Sequence, residues 1–232
     1  ASRPPRAGIE TALAVAANLG LLAWFRYLPG APAAAPLGLS FVVFCQIGHL
    51  LDAAEDDPDR PLIDRILLGA FFPALLAGPV LAARDALPQF GAMGRAAPSA
   101  KDLGRGALIL GIGLLKKTLL ADPLAPVVAQ AHADPAALTL FPAWLAALAY
   151  SMQLYFDFSG CSDMAVGAAR MFGVRLPWNF DAPYRARNVI EYWQRWHASL
   201  TRFLGSAVHA PLALAVMRAR ARRGWPIDRA AQ

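Results

Sequence analysis

Polar and ionisable side chains are interleaved with aromatics between Gln153 and Leu204, and any chemistry of this chain is expected to reside there. The stretch holds Asp157, Ser159, Ser162, Asp163, Asn179, Arg185, Arg187, Glu191, Arg195, His197 and Arg202. Its first part, Tyr155-Phe156-Asp157-Phe158-Ser159-Gly160-Cys161-Ser162-Asp163-Met164, directly continues a long apolar run. Two carboxylates therefore sit close to apolar surroundings and need partners or water. On a helix Ser159 and Asp163 share one face and Asp157 and Cys161 another, while Gly160 permits a bend or a close helix contact. Spacing alone leaves two readings of the carboxylates open: caps that anchor a helix end, or groups that serve a reaction. A Ser/His/Asp nucleophile system on Ser159 or Ser162 lacks the strand-turn-helix pattern of a nucleophile elbow.

Further along, Asn188-Val189-Ile190-Glu191 reads as a helix start, with Asn188 as N-cap and Glu191 in the capping-box position. Glu191 also precedes Arg195 by one helical turn, the favourable orientation for an ion pair. The spacing of Trp193, Trp196, Leu200, Phe203 and Leu204 predicts one amphipathic helix over 188–204, lying in a membrane interface. On that wheel His197 falls near Trp193, Leu200 and Leu204, half-buried at the apolar edge. A lone histidine so placed is more often a hydrogen-bonded structural residue than a catalyst. His49 forms an HxxD pair with Asp52 at a membrane edge, His132 and His209 lack convergent polar neighbours, and no spacing of His, Cys, Asp and Glu matches a metal site.

The elements that must position these residues are apolar. Hydrophobic residues make up 57% of the chain and charged ones 16%, against roughly 45–50% and 25% in soluble domains. A spanning helix needs about 20 mostly apolar residues. The stretches 136–156 and 66–83 read as spans, and shorter runs at 11–28, 37–51, 106–120 and 203–217 read as tilted, broken or re-entrant segments. The expected fold class is all-α, a polytopic membrane protein in a single domain over 1–232. Lys116 and Lys117 interrupt the 106–120 run, and burying them costs at least about 2.5 kcal/mol each unless they pair, snorkel or line water. They mark either a membrane exit or a polar lining.

Formal net charge is +6, concentrated in a basic 218–232 segment with Arg218, Arg220, Arg222, Arg223 and Arg229, which the positive-inside rule places in the cytoplasm. The acidic 52–65 segment carries no such signal, and its side is left open. Arginines beside apolar runs, without a recognition motif, point to membrane lipids and not to nucleic acid as partner. The 29–36 and 89–101 stretches read as connections. Cys45 and Cys161 have no CxxC partner and are expected as free thiols.

These residues resemble the membrane-bound O-acyltransferase family, in particular its bacterial branch of alginate and cell-wall-polymer O-acyltransferases. The resemblance rests on Tyr155 to Gly160, Ser162-Asp163-Met164, Leu176-Pro177, Asn179-Phe180, Pro183-Tyr184 and Trp193-Gln194-Arg195-Trp196-His197, in the order and spacing of that branch. Weaker echoes are Pro36 to Phe41, Phe72-Pro73 with Ala77-Gly78-Pro79, and Leu115-Lys116-Lys117 with Ala121-Asp122.

The resemblance implies a partial ring of membrane helices around a funnel, in the bacterial inner (cytoplasmic) membrane. There an acyl group, acetyl by expectation, passes from a cytoplasmic donor to a hydroxyl of a cell-envelope or exported polysaccharide such as alginate. It implies no bound cofactor, with acetyl-CoA or an acyl carrier as co-substrate. His197 matches the family's upstream histidine, on the cytoplasmic side, with a supporting role along the donor path. Gln153, Tyr155, Asp157, Ser159, Asp163, Asn179, Arg195 and Trp196 are implied as residues that line the substrate path or orient it. The family's second histidine, assigned to catalysis in an apolar helix beyond the Trp-His segment, has no counterpart up to Gln232, so the chain is expected to be an internal fragment, inactive alone. Cys161 replaces a usually aromatic position, and Gly205 to His209 replace an Arg-Asp pair and tyrosines. The alternative is a non-catalytic conduit handing the acyl group to a separate periplasmic transferase.

Overall fold

The computed structural model describes residues 5–28, 36, 38–52, 61–75, 78–93 and 97–223, and within them every regular element is a helix. In chain order these are α1 (Pro5–Tyr27), α2 (Leu39–Asp52), α3 (Leu62–Ala70), a single turn α4 (Phe72–Leu75), α5 (Ala83–Ala92), α6 (Ala100–Leu115), α7 (Ala125–Ala133), α8 (Leu140–Met171), α9 (Val189–Arg195), α10 (Ala198–Leu204) and α11 (Ala210–Arg222). The all-α expectation holds.

Several helix bounds differ from those the apolar runs predict. The 66–83 stretch is not one helix. Phe71 leaves helical geometry with ψ 93°, and from Gly78 through Pro79 to Ala82 the chain is irregular. Proline removes a backbone donor and glycine adds backbone freedom, so a continuous ladder fails here. The 136–156 run belongs from Leu140 onward to the 32-residue α8, and 106–115 to α6, which starts at Ala100 with Ser99 Oγ accepting from the Asp102 N–H and gives way at Lys116 to a π turn. The connection expected at 89–101 is shorter, because Gln89 lies in α5 and Lys101 in α6. The 29–35 stretch and most of the acidic segment, 53–60, lie outside the described residues, as does 224–232 of the basic segment.

The largest correction concerns 188–204. It is two helices, because Trp196 is extended and His197 is left-handed at φ 48°, ψ 50°. The second half, α10, then continues through a wide π turn at Gly205–His209 into α11, so the 203–217 run is no separate segment. Among the described residues two helical runs are long and apolar enough to cross a membrane: Gly8–Tyr27, of mean hydropathy 1.5, and Ala198–Arg222, of mean hydropathy 1.4.

The core lies where α2, α3, α5 and the C-terminal half of α8 meet, around Cys45, Leu68, Phe71, Leu87, Phe90 and Ala169. Helix α8 ends in a Schellman turn: Val174 N–H donates to the Ala169 carbonyl and Gly173 N–H to that of Arg170. The turn needs the positive φ of Gly173, 80°. It sends the chain back into the core, where Val174 and Leu176 are buried.

Helices α6 and α8 run antiparallel at backbone contact. A Cβ on Gly113 would stand 2.6 Å from the Gly160 carbonyl oxygen, and one on Gly106 2.7 Å from that of Gly167. On each helix the two glycines are a heptad apart, so they recur on one stripe. Small residues let such helices approach closely where water supplies no hydrophobic drive. Gly160 therefore serves a close helix contact, not a bend.

Candidate functional site

Because α6 and α8 touch along that stripe, the lysines at the end of α6 reach the α8 carboxylates. Lys116 and Lys117 open a π turn, Lys116–Ala121, in which the helix widens. Lys116 Nζ meets Asp163 Oδ2 at 2.5 Å. Lys117 Nζ lies between Asp122 Oδ1 at 2.5 Å and Asp157 Oδ1 at 2.8 Å. Both lysines are thus paired, which removes most of the cost of holding them against apolar helices. Asp157 and Asp163 are mid-helix ion-pair partners, not caps. Ser159 and Ser162 are buried between them, and their hydroxyls make no hydrogen bond among the described residues. Gln153 Oε1, nearer the start of α8, is also buried without a partner.

The return segment after α8 explains the break at His197. Asn179 and Asp181 lie beside it and bond its backbone: Ala198 N–H donates to the Asn179 carbonyl at 2.9 Å, and Asp181 N–H to that of Arg195 at 3.0 Å. Asn179 Oδ1 also accepts from Ser199 N–H at 3.3 Å, capping α10 from a distance, since His197 makes no cap bond with its own side chain. The Asn179 Nδ2 remains buried without a partner. Asn179 is only 2% exposed, so this contact seals the corner.

Helix α9 is built as its sequence predicts. Asn188 Oδ1 accepts from Glu191 N–H at 2.8 Å, and the Glu191 carboxylate accepts from Arg187 N–H at 2.8 Å. It also pairs with Arg195 at 2.7 Å. The Arg187 N–H first, and Arg195 second, hold the Glu191 carboxyl below its ordinary range. Arg195 Nη1 reaches the Asp181 carbonyl at 3.3 Å, which ties α9 to the return segment.

Around this corner stands an aromatic cluster. Tyr155 packs against Phe180, Tyr184 and Trp196, and Trp196 stacks on Tyr192 with rings 5.7 Å apart. Tyr184 also donates its hydroxyl to the Ser151 carbonyl at 2.9 Å, fixing the return segment to α8. The imidazole of His197 meets Phe158 edge-on at 4.8 Å and lies parallel to Phe180 at 6.5 Å. It is half-buried, and burial holds its pKa below the ordinary 6.5. Its Nδ1 is buried and makes no hydrogen bond among the described residues. At neutral pH the ring is therefore uncharged and keeps a nitrogen free to donate or accept.

Apart from Gln153, the expected site residues thus fall into two groups. Tyr155, Asn179, Arg195, Trp196 and His197 converge on the corner, whereas Asp157, Ser159 and Asp163 line the α6–α8 seam. Phe158 and Phe180, which set the environment of His197, are not singled out by residue chemistry; their only sequence signal is the motif positions they occupy. Among the described residues no three His, Cys, Asp or Glu side chains converge as metal ligands. A separate hollow of about 110 Å³ contains none of these expected residues.

The model of the membrane-bound O-acyltransferase family matches residues 42–225. Over 181 residues the chain is 41% identical to a probable alginate O-acetylase of Azotobacter vinelandii, covering 76% of this chain and 35% of that protein. Over 203 residues it is 34% identical to a peptidoglycan O-acetyltransferase of Helicobacter pylori, covering 76% and 38%. A teichoic acid D-alanyltransferase of Streptococcus thermophilus is 27% identical over 192 residues, covering 78% and 45%. The chain spans a little over a third of the length of the first two relatives.

Proposed function

We propose, for a chain that belongs to the membrane-bound O-acyltransferase family, that the full-length protein transfers an acyl group, acetyl in the first instance, from a cytoplasmic thioester donor to a hydroxyl of a cell-envelope or exported polysaccharide. Its setting in this reading is the bacterial inner membrane, crossed several times. Relatives named for acetylation of alginate and of peptidoglycan support the reaction class. The donor, acetyl-CoA or an acyl carrier, and the polymer are this reading's own assignment.

In the reaction the hydroxyl oxygen bonds to the acyl carbon as the carbon–sulfur bond breaks. The hydroxyl proton goes to a base, and the thiolate leaves to be protonated. A neutral imidazole is suited to take that proton at neutral pH. The family resemblance gives this step to a histidine beyond the Trp-His segment, and gives His197 the support of the donor path. The observation that carries the assignment is the His197 ring itself, held between Phe158 and Phe180 with Nδ1 making no hydrogen bond among the described residues, where burial lowers its pKa and so favours the neutral form. Tyr155, Asn179, Arg195 and Trp196 position it through the contacts of the corner.

The test is transfer of labelled acetyl from acetyl-CoA, and separately from a charged acyl carrier, to polymer in membranes containing the full-length protein. His197→Ala is expected to lower transfer on the order of 10²-fold, the scale of a lost positioning contact, with insertion unchanged. Unchanged turnover reduces His197 to a structural residue, and no transfer with any donor ends the enzyme reading. Residues 1–232 alone are expected to show none.

A second reading, a conduit passing the acyl group to a separate periplasmic transferase, is favoured by the Lys116, Lys117, Asp157 and Asp163 network and the unbonded Ser159 and Ser162 hydroxyls. In that case polymer is acetylated only when the second protein is present.

A further inference from the structure

A hollow of about 110 Å³ lies between the end of α2, the segment that leads into α5, the turn after α8 and the first turns of α10. Among the described residues Arg84, Arg175 and Arg202 border it, with Asp85 as the one carboxylate. The Arg84–Asp85 contact is 4.0 Å between largely exposed side chains, too loose to cancel the positive excess. Arg202 donates its Nε to the Ala198 carbonyl at 3.2 Å and pairs with no carboxylate among the described residues. Leu81 and Phe203 supply apolar wall.

The hollow is held by contacts between parts of the chain far apart in sequence. Val80 N–H donates to Ser199 Oγ at 2.9 Å, joining one wall to α10. Gln89 clamps Arg175 through both backbone groups, accepting from its N–H at 2.8 Å and donating to its carbonyl at 3.2 Å. Arginines beside an apolar wall suit a phosphate that carries a hydrocarbon tail, because the planar fork of arginine matches phosphate oxygens.

Its depth narrows the choice. Arg202 belongs to the beginning of Ala198–Arg222, a run long and apolar enough to cross a membrane. If that run crosses, its end lies among lipid phosphates. If it lies along the surface, its whole length does. Basic pockets beside membrane helices attract anionic headgroups by about 1 kcal/mol per cation.

We infer that this hollow is a headgroup site for an anionic phospholipid, with the phosphodiester among Arg84, Arg175 and Arg202 and the first methylenes against Leu81 and Phe203. The inference rests on the membrane setting of the family and not on acyl transfer, so loss of the transfer reading leaves it standing.

Native mass spectrometry of the full-length protein in detergent, titrated with phosphatidylglycerol, phosphatidylcholine and acetyl-CoA in turn, tests it. Phosphatidylglycerol is expected to be retained at about tenfold lower concentration than phosphatidylcholine. Arg84→Gln with Arg202→Gln is expected to abolish that preference at unchanged helicity, and Arg84→Lys with Arg202→Lys to keep most of it. Equal retention of the two lipids, or a preference that survives the glutamine pair, overturns the site. Displacement of phosphatidylglycerol by acetyl-CoA, lost in the same glutamine pair, also overturns it, by giving the hollow to a nucleotide phosphate.

Discussion

His197 is held in a conformation that non-glycine residues avoid, at a cost of the order of 1–2 kcal/mol. His197→Gly removes that strain along with the ring. Thermal melting of the full-length protein should therefore show the glycine variant at least as stable as His197→Ala, while both lose transfer alike. A variant that melted lower than His197→Ala would show that the backbone angle is not the source of strain. Burial also fixes the direction of a pH effect. The folded pKa lies below 6.5, so the unfolded chain takes up a proton first as pH falls. The ring's stabilising contribution is present above pH 6.5 and is lost as pH falls through the folded value. Any inflection that His197 itself adds to a transfer-rate profile should accordingly lie below 6.5 and be missing from His197→Ala, while the limb of the catalytic base remains. The motif in the sequence is sufficient to point to His197, but its aromatic partners and its backbone angle are not legible there. Both depend on Asn179 and Asp181, which the Schellman turn brings back from beyond α8.

Between helices, the seam of α6 and α8 makes two further predictions. Gly160→Val places atoms where the Gly113 carbonyl oxygen already stands, 2.8 Å from the first added carbon. Overpacking of this kind costs about 1–3 kcal/mol, readable as a lowered melting temperature, and an unchanged melt would mean the helices separate freely. Lys116→Ala leaves Asp163 beside apolar helix with its charge uncompensated. The loss should be about 2–3 kcal/mol, less than for a fully buried pair because the lysine is 27% exposed. Exchanging the pair, Lys116→Asp with Asp163→Lys, should recover part of it, and no recovery would mean that geometry outweighs charge. The existence of α1, α2, α6, α8 and α11 is legible in apolar runs, because their length alone forces helix. The breaks at Phe71 and His197 are not, since periodicity records which face is apolar and says nothing of backbone partners distant in sequence. The lysines were legible as a problem of charge in an apolar run. Their solution lay on another helix.

On the scale of the whole molecule, composition points to a membrane setting without settling how the segments are arranged there. Apolar runs at 66–83 and 203–217 suggest separate segments, whereas the structure breaks the first and merges the second into Ala198–Arg222. That merged run has a consequence for sidedness. At 1.5 Å per residue it is about 37 Å long, enough for the roughly 30 Å of hydrocarbon. Should it cross, His197 and the arginines from Arg218 to Arg223 face opposite compartments, and the two cannot both be cytoplasmic. Should they share a compartment, the run must lie along the bilayer with Leu212, Leu214 and Val216 dipped into it. Single cysteines placed at Ala198 and at Arg222, in a background lacking Cys45 and Cys161, decide between the two: an impermeant thiol reagent added from one side marks either one position or both.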